Sequence, residues 1–387
     1  MTFSARTRFD LGESALSRTL ADARRAGAAD LTESNPTRCG LASPEAVALL
    51  GHPRGAKYSP DPMGEASARE AIAADLARRG HAIDPSRVIL SASTSEAYGW
   101  LFKLLADPGD AVLVPQPSYP LFEWLARLEG VRLVPYPLVR EENFRLDVGA
   151  IAPLVDDSTR AILLVHPNNP TGTFVRRADA EALEALCEAR GLSLVVDEVF
   201  ADYPHGALRD DRLPSFVGRR RVPTFVLSGL SKVLALPQLK LGWTVVDGPE
   251  AQVRDALARL ELIADTYLSV STPVQRALPE LLALRDEVQG RLRARLAENL
   301  RAIDAACAGS PVRRLPSDGG WTAILEVPRT REDTAWVELL AAEASVLVQP
   351  GWFYDLDREG FLVVSLLPDP ATFAPAIARA VARIAAG

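Results

Sequence analysis

Between residues 45 and 270 the chain alternates short apolar runs with longer stretches whose apolar positions recur at helical spacing. Residues 66–80 (ASAREAIAADLARRG) carry Ala, Ile and Leu three and four apart and close on Gly80, which predicts a helix with a glycine stop. The run Val88-Ile89-Leu90 predicts a strand, and after a polar turn a second helical pattern runs from about 95 to 106. Asp107-Pro108-Gly109-Asp110 is a turn by composition, and residues 111–114 predict a buried strand. The alternation continues with a helix over 119–129, strands over 131–134 and 161–165, a helix over 178–190, and strands over 193–197 and 224–227. Uninterrupted Val/Leu/Ile strands separated by helices imply a mostly parallel sheet covered on both faces.

From residue 271 the texture changes. A charged helical pattern over 276–307 precedes short strands near 322–327, 345–348 and 361–366, with helical patterns near 332–343 and 371–386. The first 44 residues are mixed, with Pro and Gly punctuation at Ser34-Asn35-Pro36 and Cys39-Gly40. The expected class is α/β. A large domain over 45–270 holds a mostly parallel central sheet covered by helices, and a smaller α+β domain is formed from both chain ends, 1–44 and 271–387.

Hydrophobic residues make up 48% of the 387 positions and charged residues 24%, an ordinary soluble balance. The net charge of -7 argues against a surface that neutralises nucleic-acid phosphates, so no nucleic-acid partner is expected. A small anionic ligand needs only local positive charge and stays possible. Cys39, Cys187 and Cys307 are far apart, and His52, His81, His166 and His205 follow no ligand spacing, so neither a disulfide framework nor a metal site is expected. No stretch approaches about 18 uncharged apolar residues, so no membrane span is expected. The start MTFSARTRFDLGES lacks the apolar run of a signal peptide, which makes a reducing cytoplasm the expected compartment.

Four segments carry candidate chemistry, each at the end of a predicted strand, where open α/β sheets bind ligands. Ser91-Ala92-Ser93-Thr94-Ser95-Glu96 puts small hydroxyl residues at a helix start, which suits a phosphate and equally suits plain N-capping. His166-Pro167-Asn168-Asn169-Pro170-Thr171-Gly172 is either a turn or a loop whose Asn amide donates to an anionic oxygen. Asp197, directly after Leu194-Val195-Val196, is costly to bury unless paired; it could cap a helix, bind a metal or hold a cationic ring nitrogen. Lys232, in Ser228-Gly229-Leu230-Ser231-Lys232, is either a surface lysine or a partly buried amine available to form a Schiff base.

The four segments in this order resemble the class I/II aminotransferase family, fold type I of the pyridoxal-phosphate enzymes, from about Leu31 to Ser365. The resemblance implies pyridoxal 5'-phosphate held as a Schiff base on Lys232, which also moves a proton at the substrate α-carbon. By the same resemblance Asp197 pairs with the pyridinium nitrogen and Asn169 bonds the ring phenolate oxygen. Ser93, Thr94, Ser95 and Lys240 hold the phosphate, and Tyr119 stacks on the ring. Tyr58 reaches the phosphate of a neighbouring subunit, which implies a homodimer with shared sites. The substrates would be an amino donor and a keto-acid acceptor. The runner-up is a lyase or decarboxylase on the same fold, and a cofactor-binding regulator is the non-enzymatic alternative.

Four positions depart from the family pattern, one of them Ser93, which stands where a glycine is common in the phosphate turn. Phe200 stands where a tyrosine donates to the phenolate oxygen, with Tyr203 as a possible substitute. Lys240 stands where an arginine usually binds phosphate, without the bidentate fork. Val363 stands where an arginine usually grips the substrate carboxylate. Either Arg38, near Ser34 in the segment expected over the substrate, takes that role, or the substrate has no free α-carboxylate.

Overall fold

The computed structural model describes residues 3–9, 12, 14–51 and 53–387; His52 lies outside the described residues. Among the described residues, an eight-stranded sheet is built from β1 (Val88–Ser91), β2 (Ala111–Gln116), β3 (Arg132–Val139), β4 (Arg145–Leu146), β5 (Thr159–Val165), β6 (Ser193–Asp197), β7 (Thr224–Gly229) and β8 (Gly242–Asp247). The spatial order is β1-β8-β7-β6-β5-β2-β3-β4. The pairs β3/β2, β2/β5, β5/β6 and β6/β7 are parallel, whereas β8 runs antiparallel to both β7 and β1, and β4 is antiparallel to β3.

Period-2 alternation explains why the central strands read as continuous apolar runs. Ile162, Leu164, Leu194, Val196 and Val226 join one core cluster, while Ala161, Leu163, Val165, Val195, Phe225 and Leu227 join another. Both faces of each strand are therefore buried under helices. Because β8 reverses twice against its neighbours, β1 points the same way as β7. The C-terminal ends of β1, β2, β5, β6 and β7 all open on one edge of the sheet, which is how segments 140 residues apart can share a site.

A smaller antiparallel sheet joins Arg313–Arg314, Thr322–Glu326, Phe361–Ser365 and Gln349–Pro350. Near the N-terminus, Ala29–Asp30 pairs in parallel with Val346–Leu347. Several elements differ from the sequence expectation. The pattern over 276–307 is two helices, Thr272–Ala283 and Arg285–Cys307, broken at Leu284. The break fits Arg285, which is buried against Asp75 and Asp202. The helix expected from 119 begins at Phe122. Strand β8 and the helix Glu250–Tyr267 were not anticipated. No described helix is long and apolar enough to cross a membrane.

Candidate active site

A cavity of about 330 Å³ opens at the shared sheet edge. This is within the usual range for a small-molecule site. Ser34, Ser93, Thr94, Ser95, Tyr119, Asn169, Asp197, Lys232 and Lys240 all line it. Two expected site residues do not. Tyr58 is 67% exposed and lines a separate groove beside Leu268 and Gln275. Arg38 has a side chain 74% exposed, with its guanidinium 3.5 Å from Glu33.

Lys232 lies in a short helix, Leu230–Val233, at the end of β7. That turn is fixed by Leu230 N–H donating to Leu241 O at 3.0 Å and by the Gln289 amide donating to Val233 O at 3.1 Å. The side chain stands in the cavity wall, its ammonium 5.1 Å from the Trp321 ring centre and 5.6 Å from that of Phe200. Burial pushes its pKa down, and the nearby Asp197 charge pulls it partly back. A lysine in this state holds a larger fraction of nucleophilic neutral amine than a surface lysine.

Asp197 ends β6, in register with Val165 and Leu227 on the flanking strands. Its Oδ1 accepts from Val199 N–H at 3.0 Å and its Oδ2 from the Tyr98 hydroxyl at 2.9 Å. Burial raises its pKa; those two bonds and the Lys232 charge oppose the rise. Asn169 accepts from Thr322 Oγ1 at 3.3 Å through Oδ1, which leaves its amide nitrogen to donate.

The helix Thr94–Leu105 starts at the end of β1, and Ser93 caps it by accepting from Glu96 N–H at 3.1 Å. The N–H groups of Thr94 and Ser95 precede the first intrahelical bond, so they remain donors toward the cavity. Gly242 faces Gly229 across β8 and β7, and a Cβ on Gly242 would lie 3.2 Å from both Ser93 C and Thr94 N. Glycine is what lets β8 pass this close to the helix start. An amine, an anchored carboxylate, an amide donor and a helix start with a neighbouring lysine thus surround one cavity. This set fits the amine-reactive carbonyl, ring nitrogen, phenolate oxygen and phosphate of pyridoxal phosphate.

Two of these departures take physical form. Phe200 offers Lys232 only an aromatic face, and Tyr203 does not replace the missing donor: it is fully buried and its hydroxyl donates to the Lys232 carbonyl oxygen. Val363, 1% exposed, packs with Phe144, Ile324, Tyr354 and Phe361 instead of facing the cavity as a cation. Sequence reading missed Tyr98, Trp321, Thr322 and Tyr354. Only the Gly319-Gly320 pair ahead of Trp321 hints at a close backbone approach there, and a Cβ on Gly319 would lie 2.6 Å from Tyr203 O.

His166 sits behind Asn169 with both ring nitrogens engaged: Nε2 donates to Leu213 O at 2.9 Å and Nδ1 accepts from Val175 N–H at 3.2 Å. Complete burial pushes its pKa down from 6.5 to about 4. The unfolded chain therefore takes up this proton at higher pH than the folded one. The stability His166 contributes is present above its unfolded pKa and is lost as the pH falls toward about 4, by about 3 kcal/mol at most. Urea midpoints at about pH 7 and about pH 4.5 should show the fall, and His166→Asn should shrink it. An identical pH slope in the variant would refute this assignment.

Residues 28–379 match the profile of the family described as aminotransferase class I and II. The arginine–pyruvate transaminase of Pseudomonas aeruginosa is 31% identical over 322 residues, 79% of this chain and 77% of that protein. A tyrosine aminotransferase of Caenorhabditis elegans is 26% identical over 294 residues, 75% of this chain and 63% of that protein. Among solved structures, an alanine aminotransferase from Pyrococcus furiosus superposes with a TM-score of 0.86 at 25% identity, covering 98% of each chain. Family match and cavity chemistry agree: this chain belongs to the class I and II aminotransferases, pyridoxal-phosphate enzymes that move an amino group between an amino acid and a keto acid.

Proposed function

We propose that Lys232, Asp197, Asn169 and the Thr94 helix start divide the work of transamination in this cavity, and that the donor's carboxylate is held without an arginine. The observation that carries this reading is the meeting of Lys232 and Asp197, from adjacent strands β7 and β6, in one cavity. Bound pyridoxal phosphate supplies an electron sink for the pair left when the α-proton departs. Lys232 Nζ takes the proton from the substrate α-carbon and returns it at the cofactor side. Burial favours this role, because the neutral amine is the base. Asp197 holds positive charge on the ring nitrogen, and Asn169 donates to the phenolate oxygen. Ser93, Thr94, Ser95 and Lys240 hold the phosphate, and Tyr119 covers the ring. Phe200 and Trp321 flank the amine and keep water from it.

The lysines Lys232 and Lys240 are the cations that line the cavity, and both are committed to the cofactor in this reading. The substrate carboxylate then meets neutral donors such as Ser34 and Tyr354. Arg38, considered above, is exposed and paired with Glu33, so it is not part of this proposal. Tyr58 and Leu268, both exposed, line one groove, a surface suited to a second copy of the chain. The same reading therefore includes a homodimer in which Tyr58 completes the neighbour's phosphate site, a cytoplasmic location, and the division of the chain at residues 45 and 270.

The test is a single-turnover absorbance titration of the holoenzyme with amines and amino acids, one at a time, followed by pyruvate. Pyruvate is the first acceptor to try, since the relative of 31% identity is an arginine–pyruvate enzyme. Conversion of the bound cofactor to its amino form by an amino acid, reversed by pyruvate, supports the reading. Conversion by no donor overturns it. Arg38→Ala is expected to leave the KM for amino acids within about twofold, the scale of an exposed ion pair. A much larger rise would return Arg38 to the carboxylate role.

A further inference from the structure

Tyr98 lies in the middle of the helix Thr94–Leu105, where the spacing marks it as an ordinary core position, and it is fully buried. Its ring packs edge-on against Phe122 with centroids 5.2 Å apart and lies 6.2 Å from that of Phe102. Its hydroxyl nevertheless crosses to a different element and donates to Asp197 Oδ2 at 2.9 Å. We propose that Tyr98 is a positioning residue for the cofactor, holding the Asp197 carboxylate in the ionised state and orientation that a protonated ring nitrogen requires. This inference rests on the reading of Asp197 given above.

An ionised carboxylate has about four lone-pair directions. Val199 N–H and Tyr98 Oη occupy one on each oxygen, and the others are left for the cavity. The titratable groups acting on Asp197 are Tyr98 from the Thr94 helix and Lys232 from the turn after β7. Just after β5 the neighbour His166 offers only its backbone N–H, to Asp197 O at 2.8 Å, while its ring is taken by Leu213 and Val175. Once Lys232 is neutral, the hydrogen bonds are what remain to offset the burial of this carboxylate. Tyr98 is a dependable donor, since burial and the Asp197 charge hold its pKa well above the usual phenol value. A hydrogen bond from a neutral phenol to a buried anion favours the anion strongly.

The alternative is a core aromatic whose hydroxyl merely found a partner. Y98F keeps the ring contacts and removes only that hydroxyl. Its dissociation constants would be measured by equilibrium dialysis for pyridoxal phosphate and for the analogue with the ring nitrogen replaced by CH, beside wild type and D197N. The expected result is that Y98F weakens pyridoxal phosphate about tenfold and leaves the analogue unchanged. The pH below which affinity fades should also move upward, because the lost bond lets the Asp197 pKa rise. Equal weakening of both ligands, or of neither, overturns the proposal. D197N separates the two levels. If it discriminates between the ligands and Y98F does not, the role of Tyr98 alone falls. If D197N treats both ligands alike, the reading of Asp197 falls and this inference with it.

Discussion

Lys232→Ala is expected to lower the transamination rate by at least about a thousandfold, the range attached to a positioned general base. In the proposed reading Lys232 is where covalent attachment and proton transfer coincide, so one substitution would remove both. Its amine is held between Trp321 and Phe200, close enough to Asp197 to feel its charge. No other lysine at the cavity is placed to substitute. Lys240 also lines the cavity, but it follows the tight turn Pro237–Leu239 with a left-handed backbone of φ 52°, and in the proposed reading it is engaged with the phosphate. The measurement is twofold. Absorbance of the purified variant reports whether cofactor is bound covalently, and half-reactions with an amino acid report the chemistry. Added small amines should restore part of the rate by acting as a free base. Lys240→Ala, by contrast, should keep the covalent linkage and lose only cofactor affinity. A Lys232→Ala enzyme within tenfold of wild type, or covalent attachment that survives it, would remove the central role from this residue.

Asp197→Asn should lower kcat by about a hundredfold, the scale seen when a preorganised charge aimed at a transition state is removed. The substitution keeps the shape and leaves a group that can still meet Tyr98 and Val199, so the fold is expected to persist. What it removes is the negative charge that the proposed reading sets against the ring nitrogen. The protein already spends two hydrogen bonds to keep that charge in a buried place. Burial alone would favour the neutral acid. The loss should fall on kcat more than on KM for the donor, because the charge matters most when electron density moves into the ring. A variant with unchanged kcat would show that the carboxylate is structural.

Much of the site was legible because its parts are local in sequence. A buried strand ending in a residue that cannot comfortably be buried is a readable conflict, and Asp197 after Leu194-Val195-Val196 is such a case. Lys232 in a turn of small residues after 224–227 is another. The hydroxyl run at Ser93–Ser95 was readable as a helix start, and the structure places a helix there. Tyr98 was not legible. Within its own helix it is simply one more apolar-face residue, and its partner is 99 positions away. Trp321 and Tyr354 were hidden for the same reason, since they reach the cavity only when their segments fold against the loops after the central strands, where Gly319 N–H donates to Gly172 O and Ser118 N–H to Tyr354 O. Tyr203 looked like a spare donor by number alone, yet its hydroxyl is used on the Lys232 carbonyl.

The fold divides along the same line. Apolar periodicity determined the strands and helices of the large sheet, because burial on two faces leaves an unbroken Val/Leu/Ile run that any window of the chain reveals. It did not determine direction. The antiparallel course of β8, which brings β1 into line with β7 and so carries the Thr94 helix start to the cavity, has no local signature. Neither does the break at Leu284, which fits Arg285 meeting Asp75 and Asp202. By itself the sequence determined which side chains with difficult chemistry stand at strand ends. Only the tertiary structure decided which hydroxyls, aromatic faces and backbone donors surround them, because those partners are matched by packing between distant segments and leave no trace in the spacing of near neighbours.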